Sequence, residues 1–357
     1  MKKLISLVLA LCMVFALCAC GQQAAPAPAP AQEAAPAPAQ EAAPAEEPAP
    51  VEEPAVEWPT DPVSYIVAFA AGGDNDIACR ITADAISKKY GATTSVENIT
   101  GGSGVVGRTE MLTKDPDGTT LLLDQLAAGP IAQVYMGNTT YDIDHPGTLI
   151  CCVGNAATAL CVIPNNSKGI TSFEGFVEYA KAHPGELTVA TPGQFVFVHL
   201  AFIDIFKQLG IDCKFVPANG SAGAITEVLG EHVDAIAAPL SSLIQYFNSG
   251  DMICLGTTGE TEFVENPYII TQDSSIVDMD DWYTWYGIWA PEGMDPALVQ
   301  AIAKVYEDIL TDPEVIQTLY NAGVSVTYLN VEESAATLDN YRVKIHDSLV
   351  AGGAIAG

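Results

Sequence analysis

The chain of 357 residues carries 44 acidic and 14 basic side chains, and its net charge of −30 argues against two classes of partner. Nucleic acids and anionic membrane surfaces are bound through clustered lysine and arginine side chains, which are few in this sequence. The length favours two folded units, because a domain takes about 150 residues. The composition changes near residues 20 and 57, and these changes divide the chain into three segments.

The first segment, residues 1–19, has the pattern of an export signal. Two lysines precede an apolar run over 4–17, which is too short to cross a bilayer as a mature helix. The residues Leu17-Cys-Ala-Cys-Gly21 then resemble the lipobox of bacterial lipoproteins. We expect cleavage before Cys20 and lipidation of its thiol, so that the protein is extracytoplasmic and lipid-anchored at the cell membrane. Cleavage before Cys18, where bulky Leu17 would occupy the cleavage position, and an uncleaved anchor are the alternatives.

The second segment, residues 20–57, consists almost wholly of Ala, Pro, Gln and Glu. It has too little large apolar surface to offset chain entropy, and the sequence therefore predicts a disordered segment. Its prolines favour extended polyproline geometry, at about 3.1 Å per residue. We expect a stalk that holds a folded body away from the membrane.

The third segment, residues 58–357, is the expected folded body. Without the two lysines and seven glutamates of the first 57 residues, 12 basic and 37 acidic side chains remain, a net charge of −25. The three arginines of the chain, Arg80, Arg108 and Arg342, all lie in this segment. The shortage of cations is therefore a property of the body and not of the stalk.

Short apolar runs alternate with helical patterns along the body, which predicts a parallel sheet with helices on both faces. The predicted strands are 63–69, 93–97, 119–123, 159–163, 187–190, 213–216, 233–237 and 284–290. The predicted helices are 77–90, 105–114, 172–182, 198–209 and 222–229, with further helices starting near Asp295, Pro313 and Val331. The body is long enough for two such sheets.

Four glycine-containing loops, 69–76, 97–107, 191–199 and 219–223, lead into helices. In parallel sheets the loops that follow the strands carry the ligand site. Glycine lets the backbone approach a ligand, and a helix start offers unpaired N–H groups and about half a positive charge. These loops favour recognition of an anion by main-chain amides, without arginine. For the first loop, the alternative is a tight turn with Asn75 or Asp76 as N-cap.

The second loop also supports a nucleotide hypothesis. The pattern Gly102-x-Gly104-x-x-Gly107 lies between a strand and a helix, and Asp124 ends the following strand, as in dinucleotide-binding proteins. Export argues against this hypothesis, because free nicotinamide cofactor is scarce outside the cytoplasm. No acid or base suited to hydride transfer is evident either, and no cofactor is predicted.

Patterns for catalysis and for metal binding are weak. The five histidines have no partner Cys, Ser or Asp in a motif, and Ser103 and Ser221 do not match Gly-x-Ser-x-Gly. The segment Asp74-Asn-Asp76 could hold a hard cation, but the neighbouring positions do not complete a calcium loop. We predict a protein that is not an enzyme and has no metal site.

The cysteines of the body allow two interpretations. Their even number is compatible with disulfides, whereas a body of this size can build a core without crosslinks. Most of them lie in apolar runs, where free cysteine behaves as a small hydrophobe, and we favour buried thiols. No spacing is typical of a zinc site. The six positions are Cys79, Cys151, Cys152, Cys161, Cys213 and Cys254.

An aromatic segment at 282–289 alternates partly like a strand. Packing in the core or between domains is the favoured interpretation, and direct contact with a ligand is the alternative. The segment therefore does not by itself identify a site.

The body resembles the substrate-binding proteins of tripartite tricarboxylate transporters, the Bug family. The similarity runs from Trp58 to the C-terminus, and its short motifs are specific as an ordered set. They include 69–76, 101–107, 116–122, 183–187, Gly193 with His199, 216–222 and 285–293. In that family the glycine loop belongs to a binding-protein fold, which removes the nucleotide hypothesis.

The resemblance implies an α/β, type II periplasmic-binding-protein fold with a ligand cleft between two lobes. Residues 58–157 and 257–357 would form lobe 1, and residues 158–256 lobe 2, with crossovers near 156–160 and 254–258. The implied function is that of a solute-binding lipoprotein, which captures a small organic acid for the membrane permease subunits of a tripartite transporter. A ligand-sensing surface lipoprotein without a transporter and an exported enzyme are the alternatives.

In such proteins, one ligand carboxylate is held by the first-lobe glycine loop and the facing second-lobe loop. The donors are main-chain amides, hydroxyls and bridging waters. On this chain the resemblance implies a site at Phe69, Ala71, Gly72, Gly73, Asp74, Asn75, Asp76, Thr191, Gly193 and His199.

Two stretches depart from the family pattern and are included in the predicted site. Gln194, Phe195 and Phe197 stand where the family's loop is rich in Gly, Ser and Thr, and Ala238-Pro239 stand where it often has Asp-Asn. If either phenylalanine faces the cleft, an aromatic or medium-chain carboxylate would fit. The alternatives are that both rings pack into the lobe core, or that carboxylate binding is lost.

Overall fold

Strands and helices alternate along the part of the chain that the computed structural model describes, residues 56–126, 129–259, 263, 270, 282–351 and 353–356. The strands are β1 (Val63–Val67), β2 (Thr94–Asn98), β3 (Thr120–Gln125), β4 (Thr148–Val162), β5 (Thr188–Thr191), β6 (Lys214–Pro217), β7 (Ala235–Pro239), β8 (Ile253–Thr257), β9 (Tyr283–Ala290) and β10 (Ser325–Leu329). The helices are α1 (Asp74–Tyr90), α2 (Val105–Leu112), α3 (Pro130–Tyr135), α4 (Phe173–Ala182), α5 (Phe197–Leu209), α6 (Gly220–Leu229), α7 (Ile244–Ser249), α8 (Pro296–Ile309), α9 (Pro313–Asn321) and α10 (Val331–Ala351).

The strands form two sheets that share β4. The first sheet has the order β2-β1-β3-β9-β4, with β10 also paired to β4. In it, β1 runs parallel to β2 and β3, so that the carboxyl ends of these three strands share one edge. The second sheet has the order β4-β7-β5-β6, with β8 also paired to β4, and β5 runs parallel to β6 and β7.

The long strand β4 passes directly from one sheet to the other. Ala157 of β4 faces Tyr283 of β9 in the first sheet, and the next residue, Thr158, faces Pro239 of β7 in the second. Since the main chain of β4 is bonded on both sides of this point, the two sheets are connected by continuous backbone hydrogen bonding.

The α/β class predicted from the sequence is confirmed, but the expectation of purely parallel sheets is wrong. Strands β8, β9 and β10 pair antiparallel to β4, and β9 also pairs antiparallel to β3. An alternation of apolar and helical patterns reports where strands occur and not in which direction they run. The strand predicted at 159–163 begins at Thr148, because nearly all of β4 is buried and shows no alternation of apolar and polar residues.

Side-chain caps define the starts of α8 and α9 but not that of α1. Asp295 accepts a hydrogen bond from Ala297 N at 2.8 Å, and Asp312 accepts one from Glu314 N at 2.9 Å, each with proline at the next position. These starts confirm the predicted helices at α8 and α9. Helix α1, in contrast, starts after Gly73 with no side-chain cap, so the alternative of an Asn75 or Asp76 N-cap is wrong.

Apolar side chains cover both faces of the first sheet. In β1, Tyr65 packs with Ile86 of α1 and Tyr306 of α8 on one face. The intervening residue, Ile66, belongs to the other face, with Met111 of α2. This alternation is the period of two that places successive strand side chains on opposite faces.

The six cysteines of the body are free thiols in the structure. Four are buried, and Cys213 and Cys254 are half-buried. Among the described residues, no helix has the length and apolar character needed to span a membrane. The export signal, Cys20 and nearly all of the stalk lie outside the described residues, and the lobe boundaries stay predictions.

A buried ion pair fixes α2 against the first sheet. Arg108 Nη2 lies 3.1 Å from Asp124 Oδ2, and both side chains are 0% exposed. Arg108 Nη1 donates to the Pro146 carbonyl at 2.7 Å, and the guanidinium lies 4.1 Å from the Trp289 ring centre. Burial raises the pKa of Asp124 to about 6, against the opposing charge of Arg108. Asp124, which the nucleotide hypothesis required for a ribose contact, is therefore engaged in a structural pair.

We expect Arg108→Met to lower the free energy of unfolding by about 3–5 kcal/mol at pH 7, because it leaves the Asp124 carboxylate buried without a cation. The double variant Arg108→Met/Asp124→Leu removes both charges and should be the more stable of the two. Urea unfolding of both variants and the parent measures the difference. A single variant as stable as the double variant would contradict the assignment.

Candidate ligand-binding site

The loops that precede α1 and α6 touch each other between the two sheets. A Cβ built on Gly220 would lie 3.2 Å from Ala70 N, and one built on Gly73 would lie 3.8 Å from Ser221 Cβ. We call this contact region, formed by the loops at 69–73, 100–104, 191–197 and 218–221, the seam. It brings together the four glycine-containing loops that the sequence singles out.

Asp76 stabilises the conformation of the first loop of the seam. Its carboxylate accepts hydrogen bonds from Gly72 N at 2.9 Å and from Asn98 Nδ2 at 2.9 Å, and it pairs with Arg80 at 2.9 Å. Asn98 Nδ2 also donates to the Phe69 carbonyl at 3.0 Å. Burial by itself would raise the pKa of Asp76. The hydrogen bonds from Arg80, Gly72 and Asn98, of which that from Arg80 has the largest effect, lower this pKa below its usual value. Asp76 therefore holds the shape of its own loop.

The carboxylate of Asp74, the first residue of α1, connects the two sides of the seam. Its Oδ1 accepts from Ser221 Oγ at 2.6 Å, and its Oδ2 accepts from Asn75 Nδ2 at 3.3 Å. The main-chain N–H groups of Asp74 and Asn75 and the hydroxyl of Tyr286 also contact it, and Tyr286 Oη lies 2.9 Å from Ser241 Oγ. The Asp74 carboxylate thus accepts hydrogen bonds from the amides at the start of its own helix, α1, and from Ser221 of α6, and it links the two helices.

Burial raises the pKa of Asp74, and hydrogen bonds from Ser221 and the backbone oppose this effect. The side chain is 2% exposed and forms no ion pair with any described residue. Beside it, Asn75 Oδ1 is buried and has no hydrogen-bond donor within the described structure. The seam therefore contains a buried carboxyl group that has no ion-pair partner among the described residues and, beside it, a buried amide oxygen that has no donor among them.

A hydrogen bond near each end stabilises the second-sheet loop at 191–199. Thr191 Oγ1 donates to the Gly193 carbonyl at 3.2 Å, and His199 Nδ1 accepts from Phe195 N at 2.9 Å. Phe195 has a positive φ of 56°, and its ring stacks on His199 at 5.3 Å between centres. Burial lowers the pKa of His199 to about 4. His199 is therefore neutral at pH 7 and supports the loop as a hydrogen-bond acceptor.

The same loop contacts elements that follow the strands of the first sheet. Gln133 Nε2 of α3 donates to the Gln194 carbonyl at 3.2 Å. A Cβ built on Gly193 would lie 3.1 Å from Ser103 Oγ, and Ser103 itself has a positive φ of 54° in the glycine-rich turn before α2. Only glycine at 193 allows this approach without displacing a neighbouring side chain.

The remaining predicted site residues lie in different surroundings. Phe197 is buried against Trp282 and Tyr341, with ring centres 4.9 and 5.2 Å away, whereas Phe195 is half-buried. The Gln194 side chain is exposed. Ala238 packs in the apolar core of the second sheet, and the next residue of β7 pairs with β4. The roles of these residues in binding stay predictions.

The aromatic segment divides between the core, as the favoured interpretation predicted, and the lining of a cleft, where contact with a ligand stays a prediction. Trp282, Tyr286 and Trp289 are buried in the cores. Tyr283 and Trp285 line a cleft of about 340 Å³ between β9 and α10. A smaller cavity of about 10 Å³, also lined by Phe197 and Gln125, shares these two aromatic residues with the cleft. The other residues lining the larger cleft are Asn155, Thr337, Asn340, Tyr341 and Lys344.

Three polar residues in the hydrogen-bond network of Asp74 were not among the predicted site residues. Ser221 lies in a glycine-containing loop before a helix, and that signal was sufficient to include it. Tyr286 stands inside the aromatic segment, where core packing was the favoured interpretation. Ser241 follows β7 with no distinguishing pattern, so only the fold brings it to Tyr286.

No described group of three or more His, Cys, Asp or Glu side chains is arranged to hold a metal ion. Asp74 and Asp76, the carboxylates of the considered cation segment, are engaged in separate hydrogen-bond networks. The contacts of Asp74 reach across the seam to Ser221, whereas those of Asp76 are made with Gly72 of its own loop, Asn98 and Arg80.

The family model for the tripartite tricarboxylate transporter family receptor matches residues 78–348. The chain belongs to this receptor family. Members of the family are substrate-binding receptors and not enzymes, as the sequence predicted. The resemblance to Bug proteins is confirmed by BugT of Bordetella pertussis, which is 25% identical over 271 residues, 75% of this chain and 82% of that protein. A UPF0065 protein of Cupriavidus necator is 27% identical over 281 residues, 79% of this chain and 84% of its own length.

Solved structures confirm the periplasmic-binding-protein fold. A periplasmic transporter protein superimposes with a TM-score of 0.75 at 25% identity and covers 82% of this chain and 97% of its own. The binding protein BugD has a TM-score of 0.74 at 23% identity, over 83% of this chain and 99% of its own. An R. palustris protein solved with adipate has a TM-score of 0.76 at 20% identity, with coverage of 83% and 99%.

The neutral His199 predicts a specific pH dependence of stability. Its pKa of about 4 in the folded state lies below the unfolded value of about 6.5, so stability is complete above pH 6.5 and is lost as pH falls toward 4. Between pH 7.5 and pH 5 this loss is about 2 kcal/mol. His199→Gln keeps an acceptor and should reduce the pH dependence by that amount in urea unfolding. His183→Gln, at an exposed histidine, is the matched control; an unchanged pH dependence in His199→Gln would contradict the assignment.

Proposed function

We propose that this protein is an extracytoplasmic, lipid-anchored receptor that captures a small organic acid between two lobes and presents it to membrane permease subunits. The observation that carries the proposal is the meeting of helix-start loops from two sheets at the seam. Loops in this position, after the carboxyl ends of parallel strands, are where α/β proteins bind small ligands. The lobes of the proposal are those predicted from the sequence, and the seam lies between them.

The ligand class is supported by two structural neighbours. An R. palustris protein was solved with adipate, and MatC of Rhodopseudomonas palustris was solved with malate. Both ligands are small aliphatic carboxylates. MatC has a TM-score of 0.72 at 20% identity and covers 82% of this chain and 100% of its own.

The protein would hold such a ligand without arginine side chains. Arg108 pairs with Asp124, Arg80 pairs with Asp76, and Arg342 donates to the Ile143 carbonyl at 2.7 Å. The donors at the seam are the amides at the helix starts and the hydroxyl groups of Ser103, Thr191 and Ser221. Of these hydroxyls, Thr191 donates to the Gly193 carbonyl and Ser221 to Asp74 in this structure, so a ligand would have to replace those contacts. Gly72 N and Gly73 N already donate within their own loop, to Asp76 and to the Ala70 carbonyl. The ligand carboxylate therefore depends on hydroxyls and on the amides that Asp74 now occupies.

Binding would be coupled to the approach of the two lobes. Strand β4 supplies a continuous connection between the sheets, while the seam contacts are made by loops and side chains. A ligand that contacts both sides of the seam has a higher affinity for the closed arrangement and therefore favours it. The closed form is the state that we propose the permease subunits recognise. The predicted lipid on Cys20 and the stalk would keep the receptor near them.

Asp74 favours a second ligand class, an acid that also carries an amino group. A buried carboxylate without a cation is unfavourable, and an ammonium group would compensate its charge. The Asn75 Oδ1 acceptor would receive a second hydrogen bond from the same group. An amino acid would thus satisfy both the anion donors and the acceptors of the seam.

A thermal-shift screen separates the two ligand classes. We expect a dicarboxylate such as adipate or malate to raise the melting temperature; at 100 times its Kd a ligand adds about 2.7 kcal/mol to the free energy of unfolding. If amino acids raise it instead, and Asp74→Asn abolishes their effect, the second class is correct. A shift with uncharged solutes alone would refute the binding of carboxylic acids.

Gly193→Ala tests the position of the site. The added methyl group would press on Val196 within its own loop and on Ser103 across the seam. We therefore expect the Kd of the ligand found in the screen to rise about tenfold, equivalent to about 1.4 kcal/mol. Gly223→Ala is the matched control, because its Cβ would make an ordinary 3.4 Å contact with Ala218 within the second-sheet loop. Isothermal titration calorimetry measures both; equal affinities for the two variants would place the ligand elsewhere.

A further inference from the structure

Two of the free cysteines face each other across the pairing of β4 and β8. Cys161 of β4 is the direct register partner of Cys254 of β8 in this antiparallel pair. Directly opposed residues of antiparallel strands have Cα atoms about 4.5–5.5 Å apart and side chains on the same face. Disulfides span Cα separations of about 4.4–6.8 Å. The register of this pair therefore predicts a Cα separation within the range that a disulfide spans.

A β-bulge creates this arrangement. Leu160 pairs with Gly256, and regular antiparallel pairing would place Cys161 opposite Leu255. The register shifts between Leu160 and Cys161, and the extra residue on β8 brings Cys254 opposite Cys161 instead. Bulges redirect side chains at defined positions of a sheet.

We propose that Cys161 and Cys254 form an oxidisable dithiol site, which a disulfide oxidant of the glutathione type converts into a disulfide between β4 and β8. The proposal is independent of the ligand and of the proposed transport function. It concerns two cysteines that the sequence alone assigned to the apolar core.

The two thiols have complementary properties. Cys254 is half-buried, whereas Cys161 is 0% exposed. A hydrogen bond from Cys161 lowers the pKa of Cys254, and burial raises the pKa of Cys161. The thiolate is the reactive form of cysteine, so Cys254 is the residue that attacks an external disulfide and Cys161 is the one that resolves the product.

The exchange proceeds in two balanced steps. The Cys254 thiolate attacks one sulfur of oxidised glutathione, forms a mixed disulfide and releases one glutathione thiolate. Cys161 then loses its proton to solvent and attacks Cys254 Sγ, which releases the second glutathione thiolate. Two protein thiols are oxidised to one disulfide, and one glutathione disulfide is reduced to two thiols.

The other cysteines of the body lack such an arrangement. Cys151 and Cys152 are consecutive in β4 and therefore point to opposite faces of the sheet. Cys79 is a residue of α1 and is buried in the core. Cys213 is half-buried, and burial raises its pKa to about 12, which disfavours its thiolate. Cys213 is therefore a suitable control, because it is half-buried like Cys254 but has no opposing cysteine among the described residues.

A disulfide at this site would close a loop from residue 161 to residue 254, nearly the whole of the predicted lobe 2. Crosslinks that close long loops restrict the unfolded chain most strongly. The oxidised protein should therefore have a higher melting temperature than the reduced protein.

The test is oxidation of the folded full-length chain with oxidised glutathione, followed by alkylation and peptide mapping by mass spectrometry without reduction. We expect a peptide pair joined through Cys161 and Cys254, and a melting temperature raised by several degrees. Cys161→Ala should accumulate a stable glutathione adduct on Cys254. Cys213→Ala should form the disulfide like the parent.

Two results would overturn the proposal. One is a parent protein in which Cys254 keeps the glutathione adduct, because Cys161 then fails to resolve it. The other is a protein in which Cys254 stays a free thiol while Cys213 is modified. Both are read from the parent protein, so the outcome does not depend on the folding of a variant.

Discussion

Strand β4 is the constraint on which the rest of the structure depends. Its residues hydrogen-bond to β9 and β10 in the first sheet and to β7 and β8 in the second, with the change of partner between Ala157 and Thr158. Because the strand is continuous, it fixes how the loops after β1 and β5 face each other. The seam follows from that placement, and the opposed cysteines follow from the pairing of the same strand with β8.

Two of the arginine side chains of this molecule stabilise the fold through ion pairs. Arg108 compensates Asp124 inside the first sheet, and Arg80 holds Asp76 against its own loop. What remains at the seam is a set of hydroxyls, amides and the Asp74 carboxylate. At the site that we propose, a ligand would be held by hydrogen bonds among buried groups, where an unmatched polar group is costly.

The sequence predicted most elements and the loops that form the seam, because glycine before a helix reports a close backbone approach. It did not predict that Gly72 N and the start of α1 are already occupied, by Asp76 and Asp74. Nor did it predict the partner of Asp74, since Ser221 lies 147 positions away and the pairing depends on how the two sheets face each other. Strand direction was also missed, because hydrophobic patterning carries no information about it.

By itself, the sequence determined the α/β class, the receptor family and the scarcity of cations, all of which depend on composition and on motifs local in the chain. The tertiary structure decided what those residues do. It turned the acidic residue expected in a nucleotide site, Asp124, into half of a buried ion pair, and it turned His199 into a neutral support for its loop. It also placed Cys161 opposite Cys254 through a one-residue bulge. These outcomes depend on register and burial, which arise only when distant segments pack together.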